Sequence, residues 1–213
     1  NVIKTHEKPR DELGKSEKDI ILRTIAAIYR DKKDFDNALK YIQLSKEIDP
    51  NNISLILLES NIRWELGDVE SYEKLITKAL EINPENTDLV FNLGVVNADK
   101  GNIDLALEFY NKAIQLDPSY TKAYLNAAAL ILEKDEPIIE EMNSLGMSTA
   151  DYNRYDELKL IREDLFKSAI PYLNNVYELD PNNIDCIKTL RNIYEQLGES
   201  DEAKKYKELL QSF

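Results

Sequence analysis

Apolar residues recur at helical spacing along almost the whole chain, and the pattern breaks at regular steps. Leu22, Ile25, Ala26 and Tyr29 make one stripe, and Ala38, Tyr41, Ile42 and Ser45 make the next. Ile56 and Trp64, then Tyr72, Ile76 and Ala79, repeat the alternation, as do Val90 and Leu93, then Ala106, Tyr110 and Ala113. An Asp-Pro or Asn-Pro pair closes each second stripe at Pro50, Pro84 and Pro118, a constant step of 34 residues. Proline cannot donate to the helical ladder and restricts the residue before it, so each pair predicts a helix end. The next such proline, Pro181, comes 63 residues later, which is one period plus an insertion of 29.

Counted from a first position 31 residues before each proline, five units begin at Asp19, Ile53, Thr87, Thr121 and Ile184. Position 8 holds Ala26, Ser60, Gly94 and Ala128, but Arg191 in the last unit. Position 20 holds Ala38, Ala106, Ala169 and Ala203, with Tyr72 as the exception. Position 15 is Gly67, Gly101 and Gly198, where Lys33 departs. This register resembles the tetratricopeptide repeat, a helix-turn-helix unit with small residues where its two helices cross. The resemblance covers residues 19–213 and implies an all-α fold, a right-handed α-α superhelix (solenoid) of five units. Their expected bounds are 19–52, 53–86, 87–120, 121–183 and 184–213, after a polar N-terminal extension over 1–18 that holds the single histidine, His6. A lone histidine without acidic or thiol partners reads as solvated.

The insertion falls in the fourth unit, about 134–165. Asp135-Glu136-Pro137 reads as a helix restart, Ile138, Ile139, Met142 and Leu145 as its apolar stripe, and Ser148-Thr149-Ala150-Asp151 as a capping box. Tyr152, Tyr155, Leu158, Ile161 and Leu165 then line one side of a long helix. The expected result is a lengthening of both helices of the unit into a projecting antiparallel hairpin. The insertion also resembles that of a group of exported tetratricopeptide proteins from Bacteroidota bacteria, of unassigned function. In the last unit Ala203, Tyr206, Leu210 and Phe213 are expected to face inward.

Charge narrows the partners. The formal net charge of -13 would repel nucleic acid and anionic membranes, and a basic peptide or protein surface suits it better. No run of eighteen apolar residues exists, so no direct membrane insertion is expected. The one cysteine, Cys186, permits no intrachain disulfide and reads as a buried, inert thiol. The chain begins at Asn1 without methionine or an apolar leader, which reads as a trimmed chain or as a mature exported one; an exported or periplasmic location is expected, with a cytoplasmic one as the alternative. No phosphate-cradling glycine loop, metal cluster or activated nucleophile is present, so neither enzyme activity nor a cofactor is expected.

The resemblance implies that first helices line a concave groove through positions 2, 5, 6, 9, 12 and 13. Asn92 and Asn126 occupy position 6, and Asn61 and Asn192 position 9; an amide side chain can both donate to and accept from an extended peptide backbone. Position 13 is a file of carboxylates, Asp31, Glu65, Asp99 and Glu133, suited to a basic ligand or else screened by Lys32, Lys100 and Lys134. Trp64 and Phe91 add aromatic area. Some family members grip a C-terminal carboxylate with lysines and asparagines, and Asn61, Asn92 and Lys122 fit that scheme. Leu57 and Asn126 stand where its other cations belong, so carboxylate clamping is not expected. Met142, Leu145, Met147, Tyr152 and Tyr155 are contact candidates on the hairpin, through which a homo-oligomer or an envelope complex would assemble. The leading expectation is a non-catalytic protein-interaction scaffold; the alternatives are that structural role and a regulatory part of a longer enzyme.

Overall fold

The computed structural model describes residues 10–213, all of whose regular elements are helices. His6 lies outside the described residues. In order these are α1 (Arg10–Asp31), α2 (Phe35–Lys46), α3 (Ile53–Glu65), α4 (Val69–Ile82), α5 (Thr87–Asp99), α6 (Ile103–Leu116), α7 (Thr121–Leu132), α8 (Asp135–Ser144), α9 (Thr149–Leu179), α10 (Ile184–Leu197) and α11 (Ser200–Leu210). Each closing proline falls just beyond α2, α4, α6 or α9, as the period predicts. The first helix starts at Arg10, so the polar stretch before Asp19 is helical from that point and continuous with α1.

Local chemistry sets the helix ends. Side-chain oxygens of Asp34, Asn52, Asp68, Asn86 and Asn183 each accept from the backbone N–H three residues on, satisfying an otherwise orphaned donor. At the turns inside the repeats, Gly67, Gly101 and Gly198 take left-handed φ values of 74°, 76° and 74°. The next residue's N–H then reaches back to a carbonyl in the last helical turn, as in Asp68 to Arg63 at 2.8 Å. Lys33 adopts φ 59° and Asp34 makes the same bond to Tyr29, so the fold imposes the glycine geometry on a lysine.

The chain forms two compact units, one ending at Leu89 and the other starting at Val90. In the first, Ala26, Ala38, Ile42, Leu55 and Ile62 make a dry core shared by α1, α2 and α3, flanked by Tyr29 stacked on Tyr41 at 5.5 Å. Buried Asp19 is held by Ser45 and by Arg23, 2.9 Å away, which answers the cost of burying its charge. In the second, Tyr124, Ala128, Phe166, Ala169, Leu173, Val176, Ile187 and Leu190 pack α7, α9, α10 and α11 together. Each such Leu, Ile or Phe contributes roughly 1.5–3 kcal/mol on burial. Tyr206 of α11 stacks on Tyr194 at 5.8 Å, but the helix ends at Leu210 and Phe213 is 59% exposed. The inward face expected for Phe213 is therefore corrected: once the helix stops, nothing carries that residue to the core.

The insertion is a hairpin of α8 against α9, closed by the expected capping box at Ser148 and Asp151. The first helix of the fourth unit is not lengthened, however. α7 stops at Leu132, two residues turn, and α8 starts afresh; only α9 is long, at 31 residues. Two bidentate pairs clamp the hairpin. Arg162 donates to Asp135 at 2.6 and 2.9 Å, and Arg154 donates to Glu141 at 2.7 and 3.1 Å.

Candidate functional site

Three surface clefts collect most of the groove residues expected from the sequence. The first, of about 420 Å³, lies in the first unit between the ends of α1 and α3 and is lined by Arg30, Asp31, Lys33, Asn61, Trp64 and Glu65. Asp31 accepts from its own neighbour Arg30 at 2.7 Å, so its charge is answered locally and not by Lys32. Trp64 leans on Tyr72 at 5.0 Å between ring centroids and stays 40% exposed, a stiff apolar wall.

The second cleft, of about 490 Å³, belongs to the second unit. Val95, Ala98 and Asp99 from α5, Tyr110 from α6, and Asn126, Ala129, Leu130 and Glu133 from the end of α7 surround it. Its lining combines apolar Val95, Ala98, Ala129 and Leu130 with two carboxylates, Asp99 and Glu133. Tyr110 is 2% exposed, and its phenol lies near the Asn126 amide, which lines the same cleft. Burial raises the Tyr110 pKa, the Asn126 amide opposes the rise and the Glu133 charge adds to it, so the phenol stays neutral. Close helix contact makes this placement possible. A Cβ on Gly94 would fall 2.5 Å from the Tyr110 ring, so the small residue of position 8 is required here.

The third cleft, about 300 Å³, forms where the hairpin base meets α10. Leu132, Phe166 and Ile193 supply apolar area, and Thr189, Asn192, Gln196 and the Asp135–Arg162 pair supply polar groups. Arg162 also lies 5.3 Å over the Phe166 ring.

Asp31 and Glu65 thus share one cleft and Asp99 and Glu133 another, each pair with an asparagine. Other expected residues separate from these sites. Phe91 is half-buried, its ring packed between Tyr110 at 5.6 Å and Tyr120 at 5.3 Å, and it serves the core more than the groove. Asn92 and Lys122 line none of the three clefts. Sequence reading missed Tyr110 and Arg162. Tyr110 stood in the repeat pattern as a core residue, and Arg162 stood in a run of hairpin charges with no partner in sequence.

On the hairpin, Met147 is 89% exposed, Tyr152 60% and Tyr155 46%, while Met142 and Leu145 are half-buried against the fold of the hairpin. The expected single stripe on α9 divides: Leu158 and Leu165 are buried, and Tyr152, Tyr155 and Ile161 face out. Cys186 is buried, its Sγ–H directed at the Leu173 carbonyl 3.2 Å away, and burial pushes the thiol up to about 11. Among the described residues there is no cluster able to hold a metal ion, and no helix is long and apolar enough to cross a membrane.

Residues 24–52 and 89–120 each match the tetratricopeptide repeat. No curated relative matches the chain. Among solved structures, MamA protein is similar at 20% identity and a TM-score of 0.65, covering 92% of each chain. YrrB, described as a tetratricopeptide protein with an unusual peptide-binding site, is similar at 17% identity and a TM-score of 0.60, over 97% of this chain and 92% of its own. A tetratricopeptide repeat protein from Parabacteroides merdae is similar at 16% identity and a TM-score of 0.53, over 92% of this chain and 80% of its own. At these identities the likeness establishes the fold.

Proposed function

Because its repeat register and its fold make this chain a tetratricopeptide-repeat protein, we propose that it is a non-catalytic scaffold holding a peptide or protein segment in the clefts of its first helices. The observation that carries this reading is the second cleft, which an asparagine amide, apolar side chains and two carboxylates line together. Asn126 is suited to pair with an extended backbone whatever its sequence, and Asp99 and Glu133 favour a basic side chain beside it. YrrB supports the reading as a similar fold described with a peptide-binding site. Asn126→Ala is expected to weaken a groove ligand about tenfold with the fold intact, and Asp99→Lys with Glu133→Lys to weaken it in a salt-dependent way. Unchanged affinity in both variants would overturn the proposal.

A second reading places the main contact on the hairpin, as a structural or oligomerising element. The exposure of Met147, Tyr152 and Tyr155 on a doubly clamped support favours it. Capture of partners by the intact chain and by a version lacking residues 135–164 separates the two. A partner kept by both belongs to the clefts, and one lost with the deletion belongs to the hairpin.

A further inference from the structure

The first helix carries a face that every later repeat buries. Positions 3 and 10 of the repeat are Leu55 and Ile62 in α3, Leu89 and Val96 in α5, Ala123 and Leu130 in α7, and Cys186 and Ile193 in α10. All are between 0% and 4% exposed. In α1 they are Ile21 and Ile28, at 57% and 48%, with Ile20 beside them at 52%. In α3 these positions join Ala38 and Ile42 of α2, and in α10 they join Leu173 and Val176 of α9, so they meet the second helix of the preceding pair. At 3.6 residues per turn, Glu17, Ile21, Thr24, Ile28 and Lys32 fall within a sector of about 80° on α1. These core-type residues lie on a face that no described residue buries.

We propose that α1 of a second copy covers this face, in an antiparallel two-fold pair centred between Thr24 and Ile25. In that register Ile21 lies against the partner's Ile28, Glu17 faces the partner's Lys32, and Lys18 faces the partner's Asp31, each contact made twice. A shift of the centre onto Thr24 would oppose Glu17 to Asp31 and Lys18 to Arg30, and one onto Ile25 would oppose Lys18 to Lys32, so the charges favour the proposed register over both neighbours. Head-to-tail stacking on the far end of the chain is disfavoured. There the position held by Ile42 and Ile76 in α2 and α4 is the exposed Lys207, beside Lys204. A symmetric pair also closes as a dimer and leaves no further apolar face of this kind.

Sedimentation of the full chain over roughly 1–100 μM, the range in which modest interfaces populate, is the test. A concentration-dependent dimer is expected that Ile21→Glu abolishes without change in helicity, or in melting at concentrations where the native chain is monomeric. Lys32→Glu should weaken the dimer by about tenfold, two surface pairs being reversed, and Glu17→Lys added to it should restore the affinity. A monomer throughout overturns the proposal. So does a dimer that survives Ile21→Glu, or one that the double exchange fails to restore. None of these outcomes depends on the clefts, so a failure here would leave the groove reading standing.

Discussion

Lys33 holds a backbone conformation that its repeat otherwise assigns to glycine. At φ 59° a side chain with a Cβ pays a steric cost that Gly67, Gly101 and Gly198 avoid. Lys33→Gly is expected to stabilise the chain by about 0.5–1 kcal/mol in denaturant unfolding, after the entropy glycine loses on folding. Gly94 makes the opposite case. Its added methyl would meet the Tyr110 ring at 2.5 and 2.6 Å and the Ala106 carbonyl at 3.3 Å. Gly94→Ala should therefore cost about 1–3 kcal/mol, and it should also displace the Tyr110 ring that lines the second cleft. Cys186 gives the pH behaviour of the core. Burial raises its pKa from 9.0 to about 11, so the unfolded chain ionises first as pH rises. Its contribution is complete below about pH 9 and lost as pH climbs towards 11. Thiol modification at pH 8 should accordingly be slow and follow unfolding; rapid labelling of the native chain would contradict its burial.

At the scale of elements, the hairpin stands on two arginine clamps of unequal burial. Asp135 and Arg162 have side chains only 16% and 19% exposed, whereas Glu141 and Arg154 are each 42% exposed. Removing Arg162 leaves a mostly buried carboxylate unpaired, at a cost of about 1.5–3 kcal/mol, while losing Arg154 should cost at most about 1 kcal/mol. Arg162→Ala should speed amide exchange in α8 well beyond Arg154→Ala, and equal effects would count against the clamp. Which parts of this were legible in sequence follows from range. Proline and capping residues act on their own helix, so the 34-residue period and the Ser148–Asp151 box could be read directly. The clamps could not, because each joins residues 13 or 27 apart that meet only once α8 folds back. A signal was nonetheless present: the two pairs centre just after and just before Ser148, as an antiparallel hairpin requires. The end of α11 was misread because helical spacing alone does not say where a helix stops, which is why Phe213 was expected inside.

For the molecule as a whole, the repeat register proposes groove positions, but how helix pairs stack decides which of them share a cleft. Position 13 looked like one continuous file of carboxylates. Within each compact unit two of them share a cleft, Asp31 with Glu65 and Asp99 with Glu133, each pair beside an asparagine. The third cleft lacks such a carboxylate, having Gln196 at that position and an Asp135 already matched by Arg162. With a net charge of -13 in support, a basic segment is expected on the proposed groove reading at the two carboxylate clefts, and an uncharged one at the third. The most direct test is selection of a random-peptide library on the full chain, followed by affinity measurement of the enriched sequences against Asn126→Ala and against Asp99→Lys with Glu133→Lys. Enrichment of basic peptides that lose about tenfold in affinity with Asn126→Ala, and that weaken with salt, is the expected result. No enrichment, or affinities indifferent to both variants, would contradict a peptide-holding groove.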